Sequence, residues 1–216
     1  MLFNNFDFDL KIYVTKVIFS DFLLLVKNLN GVYTILNLIS HFTEKLKHNL
    51  NSTEDISTNL NKNEMKMKIK KILVKFHSLI FKNIKEISED RFGCCFIQKY
   101  LNIAGKESSF DIVNNIFSLI KDFLTGKYSN YIIQFLITKN FTSFNKKVIE
   151  VINTNIEYYS NSNVSSHVIE IFLKNNEYCD EVIQNLLTND REILKNILLN
   201  QYGNYGKKDK IHYFFN

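Results

Sequence analysis

The amino-acid sequence predicts an all-α protein, organised as a solenoid of helical repeats about 36 residues long. From about residue 67 onward, apolar residues recur at three- and four-residue spacing, which is typical of amphipathic helices. No stretch shows a convincing strand-type alternation of apolar and polar residues. A short segment also recurs along the chain. Together these observations favour stacked helical units, none of which can bury its apolar face alone.

The recurring segment is present four times. Its copies are DRFGCCFIQKYL (90–101), GKYSNYIIQF (126–135), NSNVSSHVIEIFL (161–173) and NQYGNYGKKDK (200–210). When Cys94, Asn130, Ser166 and Asn204 are aligned as one position, the intervals are 36, 36 and 38 residues. A recurrence in this range is the sequence signature of a helical solenoid.

Each unit is predicted to hold a longer helix followed by a shorter one. The longer helices are expected near 68–88, 108–124, 143–158 and 178–199, and the shorter ones begin near residues 92, 128, 164 and 202. Glycines lie near three of the shorter helices, where a turn needs a permissive backbone: Gly93, Gly126 and Gly203.

The chain before residue 67 is predicted to hold a fifth, degenerate unit. VKNLNGVYTILNLI (26–39) has the outline of the other units, and its aligned residue, Val32, precedes Cys94 by 62 residues. That distance is one repeat of 36 residues plus an excess of 26. The predicted segments are a degenerate repeat (1–47), a low-complexity polar loop that supplies the excess (48–66), the repeats (67–205) and an aberrant tail (206–216).

Composition bounds the class of protein. Apolar residues make up 45% and charged residues 23% of the chain, so wholesale disorder is not expected. The formal charge of +5 allows an anionic partner such as RNA. However, two arginines, one alanine and no proline indicate a bias toward codons rich in A and T, so single lysines and asparagines carry little weight. A cytoplasmic protein is expected, since the cysteines form no disulfide framework and the most apolar early stretch (17–26) is too short to span a bilayer.

Polar residues recur on one face of the shorter helices. The aligned residue and the residue four later share that face, which gives the pairs Cys94 with Gln98, Asn130 with Gln134, and Ser166 with Glu170. The residue after the first member lies on its flank: Cys95, Tyr131, His167 and, in the last copy, Tyr205. Two edge-reading groups beside a flat ring suit a splayed, single-stranded base.

No catalytic or metal-binding constellation is predicted. His167 has neither a nucleophile nor a carboxylate partner in register. Cys94 and Cys95 are neighbours on a helix, so their side chains point about 100° apart. We therefore expect no enzyme activity, cofactor or metal.

The segments DRFGCCFIQ, GKYSNYIIQ, NVSSHVIE and NQYGNY resemble the fifth to eighth repeats of a Pumilio (PUF) RNA-binding domain. The resemblance covers roughly residues 68–205 and, more weakly, 10–45. It implies a right-handed, curved superhelix that binds one base per repeat, with the RNA antiparallel to the protein. In the family's code, Cys with Gln reads adenine, Asn with Gln reads uracil, and Ser with Glu reads guanine.

Read backward from Asn204, the repeats therefore spell UGUA. The resemblance also implies binding to 3′ untranslated regions of messenger RNA, with translational repression and decay carried out by deadenylase or repressor partners. The stacking residues that it implies are Cys95, Tyr131, His167 and Tyr205.

The sequence departs from the family at three places. Only three repeats are intact, which is expected of a truncated domain. Cys95 replaces the usual arginine or aromatic stacking residue, and Lys208 occupies the second edge-reading position of the last copy. Val32 and Leu36 cannot hydrogen-bond a base, so the degenerate repeat is expected to be structural. A protein-binding solenoid scaffold, a non-functional fragment, and a relative that binds structured nucleic acid without reading bases remain as alternatives.

Overall fold

The computed structural model describes residues 6–48, 59–174, 177–188 and 191–202, and within them the regular elements are all α-helices. This confirms the predicted fold class. The chain divides into two compact units, Met1–Asn115 and Ile116–Asn216. The helices are α1 (Phe8–Ser20), α2 (Phe22–Val26), α3 (Leu29–His48), α4 (Asn59–Lys82), α5 (Ile84–Ser88), α6 (Arg91–Ile103), α7 (Lys106–Phe117), α8 (Ile120–Thr125), α9 (Asn130–Thr138), α10 (Thr142–Asn153), α11 (Ile156–Ser160), α12 (Ser166–Lys174), α13 (Cys179–Thr188) and α14 (Arg191–Leu199).

Each of the first four repeats contains three helices, so the prediction of two was wrong for them. The predicted longer helix breaks at one recurring position, the residue that precedes the short middle helix: Asp21, Asn83, Leu119 and Asn155. These residues are 62, 36 and 36 positions apart. Asn side chains explain two of the breaks because they compete for backbone groups. Asn83 Nδ2 donates to the Leu79 carbonyl at 2.8 Å, and Asn155 Oδ1 accepts from the Tyr158 amide at 3.2 Å.

The first unit packs α3 against α6, α2 and α4, and α2 against α6. Three fully buried phenylalanines, Phe22, Phe76 and Phe96, join α2, α4 and α6. Their ring centroids lie 6.3 Å apart for Phe22 with Phe76 and 6.1 Å apart for Phe22 with Phe96. The degenerate repeat is thus part of one core with the repeat that contains Cys94.

The structure also shortens the predicted polar loop. Helix α3 continues to His48, and α4 begins at Asn59, so residues 59–66 are helical and only 49–58 lie outside the described residues. Packing explains the difference, since Ile69, Ile72 and Phe76 bury one face of α4 and a buried face stabilises a helix more than propensity does.

The second unit packs α8 on α9, α9 on α12, α12 on α13, and α11 on α14. Its core contains Phe123, Phe144 and Phe172, each no more than 1% exposed. The third helices of two successive repeats, α9 and α12, therefore lie side by side.

A close contact recurs near the start of the third helix in the first four repeats. The residue before the aligned position is Gly31, Gly93, Ser129 or Ser165, and each meets a carbonyl six residues earlier. A Cβ on Gly31 or Gly93 would overlap the carbonyl oxygen of Leu25 or Ile87. The serines donate to that carbonyl instead, Ser129 Oγ to Phe123 at 3.4 Å and Ser165 Oγ to Tyr159 at 2.9 Å.

The predicted reason for the glycines was therefore wrong at Gly93. No glycine in the described residues has a positive φ. Gly93 lies inside α6 and is required for space, because there is no room for a side chain between α5 and α6. Gly126 has an extended backbone before α9, and Gly203 lies outside the described residues.

None of the described helices is long and apolar enough to cross a membrane.

Candidate nucleic-acid interface

The third helices place the predicted site residues at three levels of burial. The aligned residues at the start of α6, α9 and α12 are buried: Cys94 (3% exposed), Asn130 (3%) and Ser166 (6%). The residues four later are half-buried: Gln98, Gln134 and Glu170. The flanking residues are exposed: Cys95, Tyr131 and His167. Each helix thus presents an accessible flank beside a partly covered polar group.

Asn130 is held by the turn that precedes α9 and by Gln134 in α9 itself. Its Nδ2 donates to the carbonyls of Gly126 at 2.9 Å and Lys127 at 3.0 Å, and its Oδ1 accepts from Gln134 Nε2 at 2.7 Å. A poor helix former is tolerated here because its side chain binds carbonyls of the preceding turn. The bond to Gln134 also fixes the orientation of that half-buried amide.

Glu170 carries a negative charge that two neighbours stabilise. Its Oε1 accepts from Lys174 Nζ at 2.6 Å, and its Oε2 lies 3.6 Å from His167 Nδ1. The prediction that His167 has no carboxylate partner was therefore wrong. The hydrogen bond from Lys174 lowers the pKa of Glu170, and partial burial opposes that shift. The carboxylate is consequently ionised at neutral pH and can accept hydrogen bonds.

Ser166 lies one turn before Glu170, and its buried Oγ has no hydrogen-bond partner among the residues that the structure describes. Buried hydroxyls are rarely left unpaired in proteins. The start of α12 thus combines an ionised acceptor with an unsatisfied hydroxyl.

Cys94 is a buried, protonated thiol. Burial is the main cause that raises the pKa of Cys94 to about 12, with a further contribution from neighbouring Cys95. Its Sγ donates to the Arg91 carbonyl at 3.3 Å. Both thiols are free, and Cys95 is exposed. Across the described part of the chain, no group of three or more His, Cys, Asp or Glu side chains could hold a metal ion.

Each of the two units contains part of the predicted site. The first contains Cys94, Cys95 and Gln98 on α6, and the second contains the residues of α9 and α12. The remaining predicted residues, Asn204 and Tyr205, lie outside the described residues.

Sequence reasoning missed two lysines beside the predicted residues. Lys174 pairs with Glu170, and Lys99 follows Gln98 on α6 with its Nζ 4.6 Å from the centroid of the Tyr33 ring. Helical spacing alone could have indicated Lys174, which is four residues after Glu170. The contact of Lys99 with the Tyr33 ring could not be predicted from helical spacing, because it depends on the packing of α3 beside α6.

No protein-family model matches the chain. The chain is 26% identical over 163 residues to Pumilio homology domain family member 4 of Saccharomyces cerevisiae, covering 71% of this chain and 18% of that protein. It is 28% identical over 122 residues to Pumilio homolog 12 of Arabidopsis thaliana, covering 56% of this chain and 20% of that protein. The chain thus matches about a fifth of the length of these curated relatives.

The fold is similar to that of the Puf4 RNA binding domain bound to an HO endonuclease RNA 3′ UTR recognition sequence. The TM-score is 0.64 at 22% sequence identity, and the match covers 94% of this chain and 68% of that one. The chain is therefore similar in sequence to Pumilio homology proteins and has the helical-repeat fold of the PUF RNA-binding domains.

Proposed function

We propose that this chain binds single-stranded RNA and reads a UGUA-type element with the third helices of its repeats. The observation that carries the proposal is the recurrence, in one register, of a half-buried polar group beside an exposed flank on α6, α9 and α12. Relatives whose fold it shares are bound to 3′ UTR recognition sequences. Base edges and faces are what a protein reads in single-stranded RNA.

Guanine is assigned to Ser166 and Glu170. The ring N–H and the amino group of guanine are adjacent donors, and an ionised carboxylate can accept from both. The other bases do not offer that pair together. Lys174 and His167 hold Glu170 ionised, and guanine would displace the Lys174 ammonium from Oε1. Ser166 Oγ, which has no hydrogen-bond partner within the described residues, would then gain one.

Uracil is assigned to Asn130 and Gln134, with unequal roles. The side-chain amide of Asn130 already hydrogen-bonds Gly126, Lys127 and Gln134, so Asn130 would act mainly by positioning the Gln134 amide. Gln134 retains one N–H donor and its carbonyl oxygen. These match the carbonyl and ring N–H of uracil, whereas cytosine has an acceptor where uracil has that N–H. The exposed ring of Tyr131 would stack on the base.

Adenine is assigned to Cys94 and Gln98. A small buried thiol leaves room for a purine, and the Gln98 amide can donate to the ring nitrogen and accept from the amino group of adenine.

In a cytoplasmic messenger RNA, such binding in the 3′ untranslated region would lead to translational repression or decay. Deadenylase or repressor partners would do the chemistry, and the chain itself would need no cofactor.

The test is fluorescence anisotropy of the purified chain with a short UGUA RNA and with the same RNA carrying UCUA, at fixed physiological salt. We expect UGUA to bind about 5- to 150-fold more tightly, the range for one lost bidentate base contact of about 1–3 kcal/mol. Glu170→Gln should reduce that preference, because a neutral amide accepts only at its oxygen.

Glu150→Gln is the matched control, since it makes the same change in an exposed ion pair with Lys147 on α10. It should leave the preference unchanged. Equal binding of UGUA and UCUA by the folded chain would contradict base reading and favour a protein-binding scaffold. A steep salt dependence without sequence preference would instead indicate binding through basic surfaces.

A further inference from the structure

We propose that the degenerate repeat binds a small tetrahedral dianion, such as inorganic phosphate or the phosphate group of a small ester, between helices α1 and α3. The site consists of Lys11 from α1 with His41 and Lys45 from α3, and all three residues belong to the first unit. It contains none of the residues assigned to RNA, so the inference does not depend on the proposed function.

Lys11 is a buried cation without a counter-ion. Only 7% of this residue is exposed, and its Nζ lies 3.5 Å from Nε2 of His41. Within the described residues, Lys11 forms no ion pair with a carboxylate. Buried ammonium groups are normally paired with an opposite charge, because they lose the stabilisation that water gives them. The imidazole accepts one of the three N–H donors of the ammonium and does not balance its charge.

A second lysine brings a positive charge to the same place. Lys45 lies one turn after His41 and is half-buried, and its Nζ lies 4.3 Å from the centroid of the Phe8 ring. Phe8 lies one turn before Lys11, so this contact places the Lys45 ammonium beside the face of α1 that carries Lys11. Lys45 also forms no ion pair with a carboxylate among the residues that the structure describes. A ring face compensates a positive charge only weakly.

His41 is affected by both cations. Burial is the main cause that lowers the pKa of His41, and the charges of Lys11 and Lys45 lower it further, whereas exposed Glu44 on the same helix opposes them. The imidazole is therefore mostly neutral at pH 7, and its Nε2 can accept from the Lys11 ammonium. Two positive charges and one negative charge leave this cluster with a net positive charge.

An anion with two charges and several oxygen acceptors is complementary to this cluster. Its charges balance the two ammonium groups, and its oxygens accept charge-assisted hydrogen bonds from both. A dianion also favours the protonated imidazole, because a nearby opposite charge stabilises the charged form. The protonated His41 can then donate to the anion in place of accepting from Lys11. Binding of the anion is consequently coupled to uptake of a proton.

The test follows the C2–H resonance of His41 by NMR in pH titrations of the full chain without RNA. Sodium sulfate is compared with sodium chloride at equal ionic strength, and His41→Gln assigns the resonance. Sulfate is the probe because it is a tetrahedral dianion that remains ionised while histidine titrates. We expect sulfate to raise the pKa of His41 in a saturable manner, chloride to leave it lowered, and inorganic phosphate to act as sulfate does.

Lys11→Met removes the buried charge and keeps a side chain of similar length. It should weaken sulfate binding about tenfold or more and raise the pKa of His41 in chloride, since one of the charges that lower it is gone. Lys16→Met is the matched control, because it removes an exposed charge from the same helix and should change neither result. Lys45→Met should also weaken sulfate binding, and it leaves the buried Lys11 in place should Lys11→Met fail to fold.

Equal effects of sulfate and chloride on His41 would overturn the proposal, as would a sulfate effect that persists undiminished in Lys45→Met and in folded Lys11→Met. UGUA RNA with additional 3′ nucleotides is the last arm of the test. If that RNA raised the pKa of His41 while sulfate and phosphate did not, the cluster would bind the RNA backbone, and the assignment to a small dianion would be wrong.

Discussion

Asn130→Ala tests whether this asparagine has a structural role in addition to any contact with RNA. The substitution removes two hydrogen bonds to the Gly126 and Lys127 carbonyls, and the bond that orients Gln134. At about 1 kcal/mol net for each carbonyl bond, the loss is about 2 kcal/mol. Water can replace the bond to the half-buried Gln134, and the higher helix propensity of alanine returns about 0.5 kcal/mol. The expected destabilisation is therefore about 1.5 kcal/mol.

Ser166→Ala is the matched control, because Ser166 begins α12 at the same repeat position. Its buried Oγ has no hydrogen-bond partner in the described part of the chain, so we expect its removal to leave the stability within about 0.5 kcal/mol of that of the unmodified chain. Urea unfolding followed by circular dichroism at 222 nm measures both variants without RNA. For a chain of this length, the Asn130→Ala change corresponds to a melting temperature about 3–6 °C lower. Equal stabilities of the two variants would refute the assigned role of the Asn130 hydrogen bonds.

Two further predictions concern packing and ionisation. Gly93→Ala should destabilise the chain by about 1–3 kcal/mol in the same assay, because its Cβ would overlap the Ile87 carbonyl. Gly105→Ala is the control and should not destabilise the chain, since a Cβ there would have nothing within 4 Å. Equal effects of the two substitutions would contradict the packing argument. Lys174→Met should raise the pKa of Glu170 toward its ordinary 4.5 in a carboxyl NMR titration, whereas Lys147→Met should leave it unchanged. Because folding lowers the pKa of Glu170, Lys174 stabilises the folded chain at pH values above the ordinary pKa, and this stabilisation is lost as the pH falls through the lowered pKa. If Lys174→Met left the titration of Glu170 unchanged, the ion pair would be excluded.

The sequence by itself determined the helical class, the repeat length and the repeat register. These depend on local patterns: apolar residues at helical spacing, and a short segment that recurs with Asn130 and Ser166 in equivalent places. The 62-residue offset of Val32 from Cys94 is also the offset between the close contacts at Gly31 and Gly93.

Only the tertiary structure decided how individual side chains are used. Asn130 and Ser166 are equivalent in the sequence. The Asn130 amide makes three hydrogen bonds, whereas the Ser166 hydroxyl makes none to the described residues. The division of each longer helix in two, and the contact of Lys99 with Tyr33, also depend on backbone turns and on packing between helices. Periodicity fixes which face of a helix a residue occupies, whereas hydrogen bonds and neighbouring helices decide whether that residue remains available to a ligand.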